Sequence, residues 1–268
     1  MSWNLFIKEL RDHLKGSVIL SAGVALYVVF SLNIYSAMTK NIEKVTDLYS
    51  AIPETMRIAF NLDLNKWSNI LGFYVTYFIY YVPIVVGCYA IIVAMKSISK
   101  EEQNRTAEFL LSRPLSRDQI VASKLLSLLV HLLGINVIVY LVALISCNLF
   151  AKGNFDIAAL TILHTYGFLV CILFGVLGFF ITVIMKRAKA VIGIGIGIVL
   201  GAYLFDMMFR ISDRWPALLY FTPFKYMNLE VLAPDYGFDL WRLMVLFGIS
   251  GGLIFLSFLF YRKKNILI

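Results

Sequence analysis

The sequence predicts an all-α integral membrane protein with six transmembrane helices. Three observations carry that expectation. Of its 268 residues, 60% are hydrophobic and 15% charged, against roughly 45–50% and 25% in soluble domains. The mean hydropathy is +0.83. The apolar residues also gather into six runs, each long enough to cross a bilayer core about 30 Å thick, which needs roughly 20 helical residues. A soluble chain of this length could not hide so much apolar surface in one or two cores. Disordered, collagenous, disulfide-framework and ordinary cytosolic classes are excluded on the same grounds. Cys88, Cys147 and Cys171 fall inside apolar runs without metal-ligand spacing, and read as small buried hydrophobes.

The whole chain, 1–268, reads as a single transmembrane domain. It opens with an amphipathic stretch over 1–16, where Trp3, Phe6, Ile7, Leu10 and Leu14 recur at i, i+3, i+4, i+7 and i+11. Lys8, Glu9, Arg11, Asp12 and Lys15 fill the other face. That pattern suits a helix lying in the membrane interface, with Trp3 at headgroup level. It serves either as a simple anchor or as an elbow that transmits motion. The first span, 17–38, is too long for the roughly 7–15-residue apolar core of a signal peptide. The second, 70–95, contains Pro83, which removes a backbone donor and predicts a kink, with Gly87 one turn further on. The third and fourth spans cover 120–150 and 157–185. The fifth, 190–209, carries Gly193, Gly197 and Gly201 four residues apart. Such a stripe lets another backbone approach closely, either within the chain, at a dimer seam or along a pathway. The sixth span covers 240–261.

Charge orients the six spans. Alternate connections and both ends hold fifteen Lys and Arg; the remaining connections hold nine, and the acidic residues divide six against ten. The positive-inside rule then puts both termini in the cytoplasm. A basic net charge of +8 in so apolar a chain points to the lipid bilayer as partner and not to nucleic acid. The middle of every span is nearly empty of ionisable groups, which speaks against an ion- or proton-coupled carrier. Asp206 and Arg210, at i, i+4, are expected to pair. His131 and His164 stand alone, and with Asn33 and Asn136 read as hydrogen-bonding links between helices. No metal motif, nucleophile elbow or phosphate-binding GxxxxGK[ST] loop is present, so no catalytic, metal or cofactor site is assigned to this chain.

The connection between the second and third spans carries the most information. It reads Lys100-Glu101-Glu102-Gln103-Asn104-Arg105-Thr106-Ala107-Glu108-Phe109-Leu110-Leu111-Ser112-Arg113-Pro114-Leu115-Ser116-Arg117, with Lys124 a little further on. Thr106 to Ser112 can form a short helix with Phe109, Leu110 and Leu111 as an apolar knob, ended before Pro114. Such a knob is either a docking surface or a contact with the membrane face.

Here the sequence resembles the membrane subunits of ABC-2 type transporters, especially the six-span NosY-like permeases. Glu102, Thr106, Glu108, Leu110-Leu111, Pro114, Ser116-Arg117 and Lys124 match the family's loop signature, with Arg105 where glycine is usual. Thr222-Pro223-Phe224-Lys225-Tyr226 and the closing Tyr261-Arg262-Lys263-Lys264-Asn265 look like the family's usual ends. The resemblance implies a type V exporter-like fold, with an interfacial N-terminal helix and a cytoplasmic coupling helix between spans two and three. It also implies short outer helices within 211–238. Glu101, Glu102, Arg105, Thr106, Glu108, Phe109, Leu110, Leu111, Arg113, Pro114 and Arg117 would dock and couple a separate cytosolic ATPase subunit, which itself binds ATP and Mg. Two ATPases and a second permease chain, identical or related, would complete an exporter in the plasma membrane. The rival readings are a secondary carrier and a membrane scaffold that recruits a cytosolic protein.

Overall fold

The computed structural model describes residues 1–103, 115–152, 154–185, 191–211 and 216–264. No strand occurs among them. Helix α1 runs from Trp3 to Thr39, and two short helices follow, α2 (Ile42–Ala51) and α3 (Glu54–Ala59). Asn61, in the left-handed conformation at φ 50°, turns the chain back. The second span is α4 (Ile70–Ile79), a π-helical segment (Tyr80–Val86) and α5 (Gly87–Gln103). Next come α6 (Arg117–Ala151), α7 (Ile157–Ile184), α8 (Val191–Ile211) and α9 (Leu240–Lys263). Six of these segments are long and apolar enough to cross a membrane.

The amphipathic stretch and the first span are one uninterrupted helix, not two elements. Nothing in the sequence stops helix propagation there: Gly16 and Ser17 are weak helix formers, not breakers. Ser116 opens α6 with a reciprocal capping box. Its Oγ accepts from the Gln119 amide at 3.2 Å, while Gln119 Oε1 accepts from the Ser116 amide at 3.0 Å. Asp156 and Asp239 cap α7 and α9 in the same spirit.

The second span and α7 form the centre of the bundle. Tyr74, Phe78, Tyr166, Phe174 and Phe179 are fully buried between their neighbours. Helix α1 packs mainly on α6, and α9 on α7. Close packing is concentrated on α7, at glycines the sequence reading did not single out. A Cβ on Gly178 would meet Ile91 Cγ1 at 2.5 Å and the Ile91 carbonyl oxygen at 2.8 Å. By contrast, a Cβ on Gly193, Gly197 or Gly201 would meet no heavy atom within 4 Å. Gly195, two residues off that stripe, faces Ile91 and Met95 instead. The stripe therefore points away from the chain's own core. Gly178→Ala should lower the stability of the detergent-solubilised protein by about 1–3 kcal/mol, while Gly197→Ala should not. Equal melting shifts for the two variants would contradict this packing.

The second span passes through a π-helical turn at Pro83, the position where the sequence predicts a kink. Pro83 offers no amide hydrogen, and the wider turn from Tyr80 to Val86 accommodates the missing bond. Cys171 Sγ on α7 donates to the Val82 carbonyl at 3.4 Å, against this segment. Between α7 and the π segment lies a small void, also lined by Asn136, whose Oδ1 is buried without a partner.

Candidate functional site

Both chain ends meet one end of the bundle, beside the start of α6. The Ser2 amide donates to Ser123 Oγ at 3.0 Å, and Arg117 Nη1 donates to the carbonyls of Tyr261, Arg262 and Lys264 at 3.1, 2.9 and 2.7 Å. The connection carrying the apolar knob leaves and re-enters the bundle here, between the end of α5 and the start of α6. Arg105, Thr106, Glu108, Phe109, Leu110, Leu111, Arg113 and Pro114 lie outside the described residues, and the Glu102 side chain does as well.

What is described is how the two feet of that connection are held. Glu9, placed by its helical position on the polar face of an interfacial helix, is instead fully buried. Its carboxylate accepts from Lys124 Nζ on α6 at 2.9 Å and from Lys100 Nζ on α5 at 2.8 Å. Lys124, only 1% exposed, also donates to Glu101 Oε1 at 2.8 Å and to the Ser97 carbonyl. Lys100 reaches Asp12 at 2.9 Å. Three carboxylates thus surround two ammonium groups, and α1, α5 and α6 are locked together. Pairing is what makes such burial affordable, since an isolated buried charge is strongly disfavoured.

The second foot is tied to α9. Besides Arg117 on the last carbonyls of α9, Arg262 makes a bidentate pair with Asp118, both bonds at 2.7 Å. Ser116, Arg117 and Lys124, all part of the loop signature, therefore have structural partners within the chain. Sequence reasoning missed Glu9 as a site residue. Its signal was the coincidence of Glu9 with two lysines at the ends of adjacent spans, which periodicity alone does not reveal.

The remaining residues of the N-terminal stretch divide. Phe6 is buried, Ile7 and Leu10 are half-buried, and Trp3 and Leu14 are exposed. His131 on α6 joins α1 through Ser17 Oγ and the Leu10 carbonyl, each at 3.1 Å. His164 on α7 meets the Tyr74 hydroxyl at 3.1 Å. Both histidines link helices. Asn33 is exposed, with no hydrogen bond among the described residues.

At the opposite end, Arg210 Nε donates to Asp206 Oδ2 at 2.9 Å as the i, i+4 spacing required. Thr222 Oγ1 donates to Asp206 Oδ1 at 3.5 Å. The expected short outer helices take the form of two 3-10 turns, Pro216–Phe221 and Pro223–Tyr226. Thr222 is extended ahead of Pro223, as the residue before a proline prefers, and this separates them. Phe224 plugs between Phe174 on α7 and Tyr203 on α8. Burial pushes the Tyr226 and Tyr236 phenols above their usual range. No group of three His, Cys, Asp or Glu side chains among the described residues is arranged to hold a metal ion.

Six helices long and apolar enough to cross a membrane, around an apolar interior, are the features of a multi-pass membrane protein. The chain belongs to the ABC-2 family: the model for "ABC-2 family transporter protein" matches residues 3–263. It is a permease component of an ABC transporter and is not itself catalytic. Among individually curated proteins, none matches the chain.

Proposed function

We propose that this permease is half of an ATP-driven exporter in the plasma membrane, with both termini in the cytoplasm. Two permease chains, identical or related, frame the pathway, and two cytosolic ATPase subunits bind ATP and Mg. The ATPases dock on the 104–114 connection through Phe109, Leu110 and Leu111, with Glu102, Arg105, Thr106, Glu108 and Arg113 around them.

One observation carries this reading: both feet of the connection are clamped to other spans. A displacement of the connection pulls on α5 through Glu101 and Lys100, and on α6 through Arg117 and Lys124. Through Glu9 it also reaches α1. The π turn at Pro83 gives the second span a place to bend in response. Rigid clamping at the feet and a bend at mid-span are what a mechanically driven permease needs.

Purifying the tagged chain from its native membrane tests the assembly. A Walker-motif ATPase should come with it, and crosslinking should trap two permease chains in the active complex. A single permease chain in an active complex would refute the two-half design. Topology is checked independently. Reporter fusions near Lys40 and Asp213 should read outside, and one after Lys264 inside; an outside C-terminus overturns the orientation.

A further inference from the structure

At the end of the bundle away from the termini, α2, α3 and α8 border a cavity of about 480 Å³. Tyr49, Glu54, Arg57, Asn61, Asp63 and Arg210 line it. Two of its four charges are already engaged. Arg210 is held by Asp206 at 2.7 Å, and Asp63 Oδ1 accepts from the Asn65 amide at 2.9 Å. The other two are not. The Arg57 guanidinium rests 4.9 Å from the centre of the Tyr49 ring, and its buried Nε has no acceptor. Glu54, three residues earlier on α3, forms no ion pair with it or with any other described residue. Arg57, resting on Tyr49, and the exposed Glu54 thus line one cavity without an ion-pair partner among the described residues.

A second cavity, of about 380 Å³, lies along α8. Gly197, Ile198, Gly201, Phe205, Phe209 and Phe221 make it almost wholly apolar. Thr222 also lines it, and bonds to the Asp206 that holds Arg210 in the first cavity. The hydrogen-bonded chain Thr222–Asp206–Arg210 therefore links a residue lining the apolar chamber to one lining the polar chamber. The two glycines keep the apolar chamber open, because neither position has a heavy atom near where a Cβ would stand.

We propose that the two chambers form one binding site for an amphiphile with an apolar chain and a zwitterionic head bearing phosphate and ammonium. The phosphate meets the Arg57 guanidinium, whose planar fork of N–H donors suits it geometrically. The ammonium meets Glu54, and the chain lies along Gly197, Gly201 and Phe205. This names the substrate class for the transport reading and rests on it, but binding itself needs no ATPase.

The test uses the full chain in a non-ionic maltoside detergent, with ligand occupancy read by native mass spectrometry. Lysophosphatidylethanolamine should bind at least tenfold more tightly than lysophosphatidylglycerol, which lacks the ammonium, and than an uncharged monoacylglycerol. Arg57→Gln and Glu54→Gln should each cost about tenfold for the zwitterion, with Glu54→Gln leaving the anionic lipid unaffected. Gly201→Leu should weaken all three lipids without lowering the melting temperature. Equal binding of the three lipids, or indifference to Glu54→Gln, would overturn the proposal. So would a Gly201→Leu variant that loses a second copy of the chain while binding lipid normally. An ATPase that co-purifies while these lipids fail to bind would refute the site and leave the transport reading standing.

Discussion

Glu9→Ala is expected to destabilise the permease by about 3–5 kcal/mol, the range for removing one member of a buried ion pair. The loss falls toward the lower end, because Lys124 keeps Glu101 and the Ser97 carbonyl as partners. Thermal unfolding of the detergent-solubilised protein reads the effect. A contrasting variant separates stability from transmission. Replacing Glu9 by Leu and Lys124 by Met, with Glu101 by Gln so that no carboxylate loses its partner, removes the buried charges as a unit, and such exchanges are often close to neutral for folding. That combined variant should melt near the parent while transport falls, if α1 must follow the connection. A Glu9→Ala protein that melts like the parent would show that the buried cluster does not hold the bundle end.

Phe109→Asp or Leu110→Asp is expected to release the ATPase while leaving the permease inserted at normal levels. An unpaired carboxylate forced into an apolar contact costs several kcal/mol, enough to lower an affinity by about two or more powers of ten. Glu102→Ala and Glu108→Ala should act more gently, since partly exposed ion pairs are worth under about 1 kcal/mol. Co-purification of the ATPase with each variant, beside the permease level in the membrane, measures the difference. Retention of the partner and full transport by both aspartate variants would move the docking site elsewhere.

The six spans were legible because the bilayer imposes one dominant rule, a long apolar run for each crossing. The observed candidates, among them Ile70–Glu101, Ile157–Ile184 and Leu240–Lys263, follow the sequence runs closely. Asp206 with Arg210 was legible too, since their spacing lies within one helix. Glu9 was not. Its partners are 91 and 115 residues away in sequence, and helical periodicity describes only the helix that carries a residue. The glycines illustrate the same limit. Four-residue spacing drew attention to Gly193, Gly197 and Gly201, yet Gly178 on α7 is where another span's backbone comes close, and there the neighbouring helix sets the constraint. Ser116 was visible as part of a signature, but its capping exchange with Gln119 is a local rule that could have been read directly.

The locks at the bundle end also impose an order on how the molecule is made. A chain synthesised from its N-terminus presents Glu9 long before Lys100 and Lys124, and domains generally begin folding from that end. Helix α1 must therefore wait at the membrane without either lysine partner of Glu9 until α5 and α6 arrive. The last lock closes later still. Arg117 and Asp118 find their partners on α9, 144 or more residues downstream for the contacts with Tyr261 and Arg262. Until the final span inserts, the second foot of the 104–114 connection is held only toward α1 and α5, through Lys124, and lacks its tie to α9. On the docking reading proposed above, a permease whose α9 has not yet inserted would present the ATPase with a connection tied on one side only.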